Sequence, residues 1–442
     1  MIKIRKRICP GFEWLNGLFS IIQNQHLPLI KNIFDSNYFM KLEIAICSIM
    51  LSFFGSAFSQ QVVVMENYPQ PFQDNFLAVK RGGFWGFVDT SGNIVSPFMD
   101  NGISHPTANF VNGAYISRSR ERENDVLMDG KGKTISNEFL HINQFSEGYA
   151  IATKMIKDKY IDKEIYMIID SLGNKKANLK FNILAKLMAW TRRDGYTIQD
   201  HEYGRFVEGL AYIPIDVDKS MFASPLRSGL FGYINPKGEM VIQPQFSTAR
   251  NFTEGRAVVA MENEAGQVKW TIIDKTGKAI SNVPFSYEPK PYKNGYARIE
   301  TQPAQGYGQP NIGFLDLSGK IAIEPKYNQA TDFYNNHAIA SVTHLETVII
   351  DTKGNIIKNI SDEYSELDLS DLSSDGLIIC QKGKTFFSKY GAINTQGIEV
   401  TPFVFDELKK FDSGRAFARI GDKKGYINKH GEWIFLVATT RF

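Results

Sequence analysis

The residues most able to do chemistry in this chain are regularly spaced acids. Asp or Asn followed three residues later by Gly recurs at Asp89/Gly92, Asp129/Gly132, Asp170/Gly173, Asn235/Gly238 and Asp274/Gly277. It continues at Asp316/Gly319, Asp351/Gly354, Asn394/Gly397 and Asn428/Gly431. Carboxylates repeated in loops are the raw material of calcium sites. A calcium loop, however, gathers about six to eight oxygens from convergent groups, with several acids in one turn and a distal Glu. Each loop here offers a single Asp or Asn, the residue that turn chemistry already calls for at that place. Structural turns are expected, and no metal.

Other constellations are thinner. Asp216-Val217-Asp218 is a lone pair of acids with no following Gly. His201-Glu202 lacks the second His of a zinc helix, and His105, His141, His337, His344 and His430 are scattered without ligand spacing. Gly82-Gly83 precedes an aromatic run and not a helix, so it is no phosphate loop. Cys9 and Cys47 lie near the start, leaving Cys380 alone in the body, so no disulfide framework exists within it. Cys380 occupies the slot filled by Ile213, Val259, Ile299, Ala340 and Ala418 in parallel stretches, which reads as a small core residue. No catalytic, cofactor or metal residue is expected.

Binding groups are better represented. Residues 174–205 interrupt the spacing and carry Trp190, Arg192, Arg193, Tyr196 and His201 close together. Aromatic and Arg side chains are the usual anchors of interfaces, so Trp190, Arg192, Arg193 and Tyr196 form a candidate binding group. Phe181, Leu184, Ala185 and Met188 stand at helical spacing, which predicts an amphipathic helix inside the insertion. A helix there could equally cap a gap between neighbouring units, with Trp190 buried.

The elements that must hold these groups are repeated strands. In the stretch from Gly229 to Met261, Phe231, Tyr233 and Ile234 form an aromatic and β-branched run. Asn235-Pro236-Lys237-Gly238 is a turn, with Gly taking φ > 0. Met240 to Ile242 returns as a strand that Pro244 is expected to end. Phe252-Thr253-Glu254-Gly255 then turns into a third strand, Arg256 to Met261, in which Ala257 and Val259 share a face. That last signature recurs as FSEGYAIA from Phe145, FVEGLAYI from Phe206, YKNGYARI from Tyr292 and FDSGRAFA from Phe411. Weaker copies begin at Phe72, Phe110 and Phe333. Turn glycines follow each other at 34 to 43 residues, with one gap of 65 at the insertion. Such a period marks a repeat architecture, whose units bury little alone and must cover one another.

FWGFVDTSGNIVSPF from Phe84, LFGYINPKGEMVIQPQF from Leu230 and IGFLDLSGKIAIEPKY from Ile312 resemble the WG-repeat (KWG-type) bacterial proteins. Trp85-Gly86 is the literal motif, with Phe231, Ile312 and Tyr390 standing for Trp elsewhere, ahead of Gly232, Gly313 and Gly391. Thr271 replaces the Gly after Trp270, and the unit at Asp125 lacks both residues. The resemblance spans roughly Phe72 to Phe435 and implies tandem β units and frequent export, with no catalytic residue to carry over. The aromatics Trp85, Phe231, Trp270 and Tyr390 read as packing between units, or alternatively as a ladder for a glycan.

The N-terminus reads as a targeting segment set in from the start. From Met40 come one Lys, an apolar run from Ile44 to Phe58, and Ala57-Phe58-Ser59 before Gln60, the pattern of a secretory signal. Residues 1–39 are therefore expected to be a non-native extension, 40–59 a signal peptide, 60–71 a leader and 72–442 the repeat array. A retained anchor beginning at Met1 is the alternative, although the apolar run is short for a span of about 20 residues. Residues 1–59 hold six of the 50 Lys and Arg and three of the 47 acids, leaving 44 of each in the mature chain. A neutral body gives no electrostatic case for nucleic acid.

The expected fold is all-β. Tandem repeats of about 40 residues, each a three-stranded antiparallel β unit, form an open twisted array or, alternatively, a β-propeller-like ring. The expected function is that of an exported, non-enzymatic scaffold binding protein or envelope glycan, without cofactor, nucleic acid or a membrane span in the mature chain. Its expected location is the periplasm, cell surface or outside. A glycan or cell-wall module and an envelope hydrolase are the alternatives.

Overall fold

The computed structural model describes residues 62–65, 75–96, 98, 112–118, 124–157, 163–180, 203–216, 229–263, 266–280, 287–301, 311–343, 345–369, 372–373, 375–383 and 388–439. All regular structure among them is β, with no helix. The described strands form nine small sheets of two to five strands, and none of these closes into a barrel.

The nine Asp/Asn-x-x-Gly turns appear where the sequence places them. In each, the Gly N–H donates to the carbonyl of the Asp or Asn three residues earlier, as from Gly238 to Asn235 at 2.9 Å. Every one of these glycines has positive φ, between 75° and 86°. The Asp or Asn side chain also accepts two backbone N–H groups, two and four residues on. Asn235 Oδ1 takes Lys237 and Glu239, and Asp351 Oδ1 takes Lys353 and Asn355. A turn followed by a left-handed glycine is the standard three-residue hairpin with a bulge.

Two strand expectations need correction. Pro244 does not end its strand, which runs Met240–Phe246. Tyr233 pairs with Ile242 but Phe231 pairs with Phe246, so the extra residues around Pro244 are extruded as a bulge that needs no donor from proline. The bulge also explains the Gly of the WG pair. A Cβ on Gly232 would lie 2.7 Å from the Ile242 carbonyl, and one on Gly313 2.6 Å from that of Ile323. The unit with Thr271 in place of the Gly has no third strand opposite that residue among the described residues.

The second correction concerns which strands share a sheet. Arg256–Glu262 pairs forward with Val268–Asp274, while Gly229–Ile234 pairs back with Ala211–Asp216. The sheet is thus offset by one strand from the repeat as written in the sequence. The strand of Ala257 and Val259 is buried on both faces: those two residues pack into the core shared with Tyr233, and Val258 into the core of Tyr292 and Leu315. Lys175–Asn178, the polar front of the 174–205 insertion, is the outer strand of the sheet of Tyr149–Ile156 and Lys163–Asp170.

Each hydrophobic core lies between two consecutive sheets. Ile151 and Ile168 of one sheet meet Ile213 and Ile234 of the next, and Ile349 meets Ile378 and Ile393. The last sheet packs on the first in the same way: Phe417, Tyr426 and Phe435 share a core with Leu77, Val79 and Val88. Val62–Met65 seals this junction, running parallel to Trp433–Thr439 with Val62 opposite Leu436 and Met65 opposite Thr439. The contact repeats in detail. A Cβ on Gly277 would touch Ile242 of the preceding sheet at 2.9 Å, and one on Gly92 would touch Phe435 of the last sheet at 2.9 Å. An open row of nine sheets has eight junctions; here nine cores join nine sheets. The tandem antiparallel units are those expected, and their joined ends are the feature that belongs to the ring alternative.

Candidate functional site

A second kind of turn builds the site. Thr253 and Arg256 exchange both backbone hydrogen bonds, at 2.8 and 3.0 Å, across the two-residue loop Glu254-Gly255. Both loop residues are left-handed, with φ of 52° and 74°, the conformation that suits a tight hairpin to strand twist. Glu147-Gly148, Glu208-Gly209, Asn294-Gly295, Asn335-Asn336 and Ser413-Gly414 repeat it, all with positive φ. Glu is an uncommon occupant of this region.

Its side chain accounts for its presence. Each Glu reaches to the turn of the next unit and accepts its backbone N–H. Glu147 takes Glu208 and Gly209 at 2.7 and 2.8 Å. Glu208 takes Gly255 at 2.9 Å, and Glu254 takes Gly295 at 2.8 Å. Asp375 does the same for Gly414 at 2.7 Å. Asn294 instead donates to the Phe333 carbonyl at 2.7 Å. Two adjacent left-handed residues aim their N–H groups together and make a small anion nest. Here the preceding unit fills the nest with its own carboxylate. Burial alone would raise the Glu208 pKa, but the Gly255 N–H and the Lys275 ammonium outweigh it and hold it below the usual range.

The two families of glycine differ in surroundings. A Cβ on Gly148, Gly209, Gly255, Gly295 or Gly414 would meet nothing within 4 Å. The Asp-x-x-Gly turns therefore serve as the packing side of the units, and the Glu-Gly turns face open space. Turns from several units line one cavity of about 820 Å³, among them Val207, Thr253, Lys293, Tyr334 and Asp412. Deeper in its wall, the buried Asp332 pairs with Lys293 at 2.9 Å and Arg298 at 2.6 Å.

The residues singled out from the sequence fall elsewhere. Trp190, Arg192, Arg193 and Tyr196 lie outside the described residues, as do the helix expected over 181–188, His201, Asp218 and the signal segment. Trp85, Phe231, Trp270 and Tyr390 are half-buried and pack against the cores. The Arg250 guanidinium lies 5.9 Å from the Trp270 ring, and the Tyr390 hydroxyl donates to Glu366. Cys380 is fully buried, and burial, with Glu399 nearby, pushes its thiol up to about 12, far from a reactive thiolate. No group of three His, Cys, Asp or Glu among the described residues is placed to hold a metal. The Glu-Gly turns carry a signal that sequence reading passed over: an acid repeated where the backbone must be left-handed.

The family model described as WG containing repeat matches the chain at residues 85–99, 231–264, 312–342 and 390–423. The chain carries WG repeats at these four places. No curated protein matches it. Among solved structures, a eukaryotic initiation factor aligns at a TM-score of 0.43 and 10% identity, covering 83% of this chain and 98% of that one. BamB from Moraxella catarrhalis aligns at 0.27 and 10% identity, covering 73% and 82%. The β-propeller domain of the Trilobed protease from Pyrococcus furiosus aligns at 0.29 and 7% identity, covering 66% and 96%.

Proposed function

We propose that this WG-repeat chain is an exported, non-enzymatic scaffold that binds its partner in the cavity formed by the Glu-Gly turns. The observation that carries the reading is the convergence of side chains from separate repeats, Val207, Thr253, Lys293, Tyr334 and Asp412, on one cavity. Repeats supply rigidity: the units cover one another and present unlike side chains at one equivalent position. A volume of 820 Å³ is within the roughly 300–1,000 Å³ of ligand sites. The non-enzymatic part rests on the use made of the acids. Glu208 and Glu254 serve as acceptors for backbone N–H groups, and Asp332 is bound up with Lys293 and Arg298.

Export is supported by the signal pattern from Met40 to Ser59. The native product should begin at or near Gln60 and fractionate with the envelope or medium; recovery of residues 1–39 in it would contradict this. Binding is tested by placing a photo-crosslinking amino acid at Lys293 and, separately, at the exposed Leu345. One discrete adduct from the Lys293 position and none from Leu345 is expected in native cells. Adducts from Leu345 alone would move the binding face elsewhere.

A further inference from the structure

Equivalent positions within the chain separate what holds the turns from what faces the cavity. The residue two before the left-handed one is always aromatic and buried: Phe145, Phe206, Phe252, Tyr292, Phe333 and Phe411. The residue between varies freely, as Ser146, Val207, Thr253, Lys293, Tyr334 and Asp412. All but Ser146 line the cavity. A position that changes chemistry from unit to unit while its neighbours stay fixed is not what forms the turn.

From this lining we infer that the cavity takes a neutral, hydroxyl-rich guest, a short glycan segment. The inference rests on the reading of this cavity as the binding face. Charge is the first argument. Glu208, Glu254, Asp332 and Asp412 line the cavity with Lys293 and Lys410. Two further cations that do not line it neutralise two of these acids: Lys275 pairs with Glu208 at 3.1 Å and Arg298 with Asp332 at 2.6 Å. Four carboxylates thus stand against four cations, and the site has no excess charge to select an oligoanion or an oligocation.

Hydrogen-bonding capacity is the second argument. The charged groups are largely spent on each other and on backbone N–H groups, whereas two hydroxyls are not. Among the described residues, neither the Thr253 hydroxyl nor that of Tyr334 has a protein partner. A hydroxyl both donates and accepts, as the hydroxyls of a sugar do. Asp412 and Glu254 add acceptor capacity beside them. Tyr334 also brings a ring held in place: a Cβ on Gly376 would lie 2.3 Å from it. An aromatic residue fixed in the wall beside polar groups suits the mixed apolar and hydroxyl surface of a pyranose.

Calorimetry on the mature chain, with maltotriose, cellotriose and triacetylchitotriose as probes, tests this. At least one should bind, with an affinity unchanged between about 0.05 and 0.5 M salt, since screening acts on net charge. Thr253→Val with Tyr334→Phe keeps both shapes and removes both hydroxyls; affinity should fall about tenfold or more while the melting temperature holds. The inference is overturned if no neutral trimer binds. It is equally overturned if trigalacturonate, a chitosan trimer or an uncharged hexapeptide binds in preference, or if the double variant binds as the parent does. The Lys293 crosslink reads the cavity whatever its guest, so a protein adduct there with no sugar binding would leave the binding face standing and the glycan assignment refuted.

Discussion

Glu208 and Gly255 stand in turns that lead into strands of different sheets, and the carboxylate of one accepts the backbone N–H of the other at 2.9 Å. Lys275 holds the same oxygen at 3.1 Å. The bond links one Glu-Gly turn to the next, and its counterparts at Glu147, Glu254 and Asp375 link others. Removing it should therefore be felt between units and not only within one. Glu208→Ala should cost about 1.5–3 kcal/mol, the range for hydrogen bonds to charged groups. Glu208→Gly should cost less, because glycine relieves the left-handed backbone. Urea titration of both variants checks this: Glu208→Ala as stable as the parent would show that the carboxylate contributes nothing, and equal losses in the two variants would show that the left-handed backbone carries no strain.

Acid should unlatch the turns in a defined window. Burial tends to raise the Asp170 pKa, but the Lys176 ammonium and the N–H groups of Leu172 and Asn174 hold it at about 2. Asp89 and Asp316 are likewise lowered against burial by their turn partners, and Asp274 is lowered chiefly by the Thr276 hydroxyl. A folded pKa below the unfolded value of about 3.9 gives stability that is complete above it and lost as pH falls through the folded value. The melting temperature should change little through these groups from pH 7 to about 5 and drop steeply between about 4 and 2. A flat profile to pH 2 would show that the turn carboxylates are not engaged.

The same turns make a statement about metal. Asp Oδ1 atoms such as that of Asp316, which accepts Ser318 and Lys320, are committed to the backbone. EDTA should leave the melting temperature where it is. A large fall would assign these loops to calcium.

Much of the fold was legible because turns are local. Asp or Asn before Gly states the hairpin within a few residues, and all nine hairpins form. Cys380 was legible for the same reason: it stands where other units place Ile, Val or Ala, and it is buried with them. What escaped sequence reading is non-local. Lys175–Asn178 has no strand-forming composition and exists because Met167, Ile168 and Ile169 offer it a ladder. The bulge at Pro244 shows only once Phe231 is seen opposite Phe246. The Glu-Gly site depends on carboxylates reaching one unit ahead, which no spacing within a unit announces. The binding group expected at Trp190, Arg192, Arg193 and Tyr196 lies outside the described residues.

Glycines should respond according to what lies over them. Gly232→Ala places a Cβ 2.7 Å from the Ile242 carbonyl and 3.0 Å from the Pro244 nitrogen, in backbone that cannot swing away. It should cost roughly 2–3 kcal/mol, the upper part of the overpacking range. Gly255→Ala meets open space and carries only the left-handed penalty of about 1–2 kcal/mol. Gly238→Val adds crowding against Ala177 at 3.1 Å to that penalty and should fall between them or beyond Gly232→Ala. A Gly232→Ala variant as stable as the parent would remove the explanation of the WG pair.

A scaffold that gathers separate repeats around one cavity needs its ends held, and the junction between the last sheet and the first holds them. Val79 lies in the first sheet and Phe435 in the last, and both are buried in one core. A double-mutant cycle with Val79→Ala and Phe435→Leu, read by urea unfolding of the full chain, measures that junction directly. Joined ends predict a coupling energy of about 0.5–3 kcal/mol, as for residues sharing a core. Single losses that add to within about 0.3 kcal/mol would mean that the two ends fold without each other.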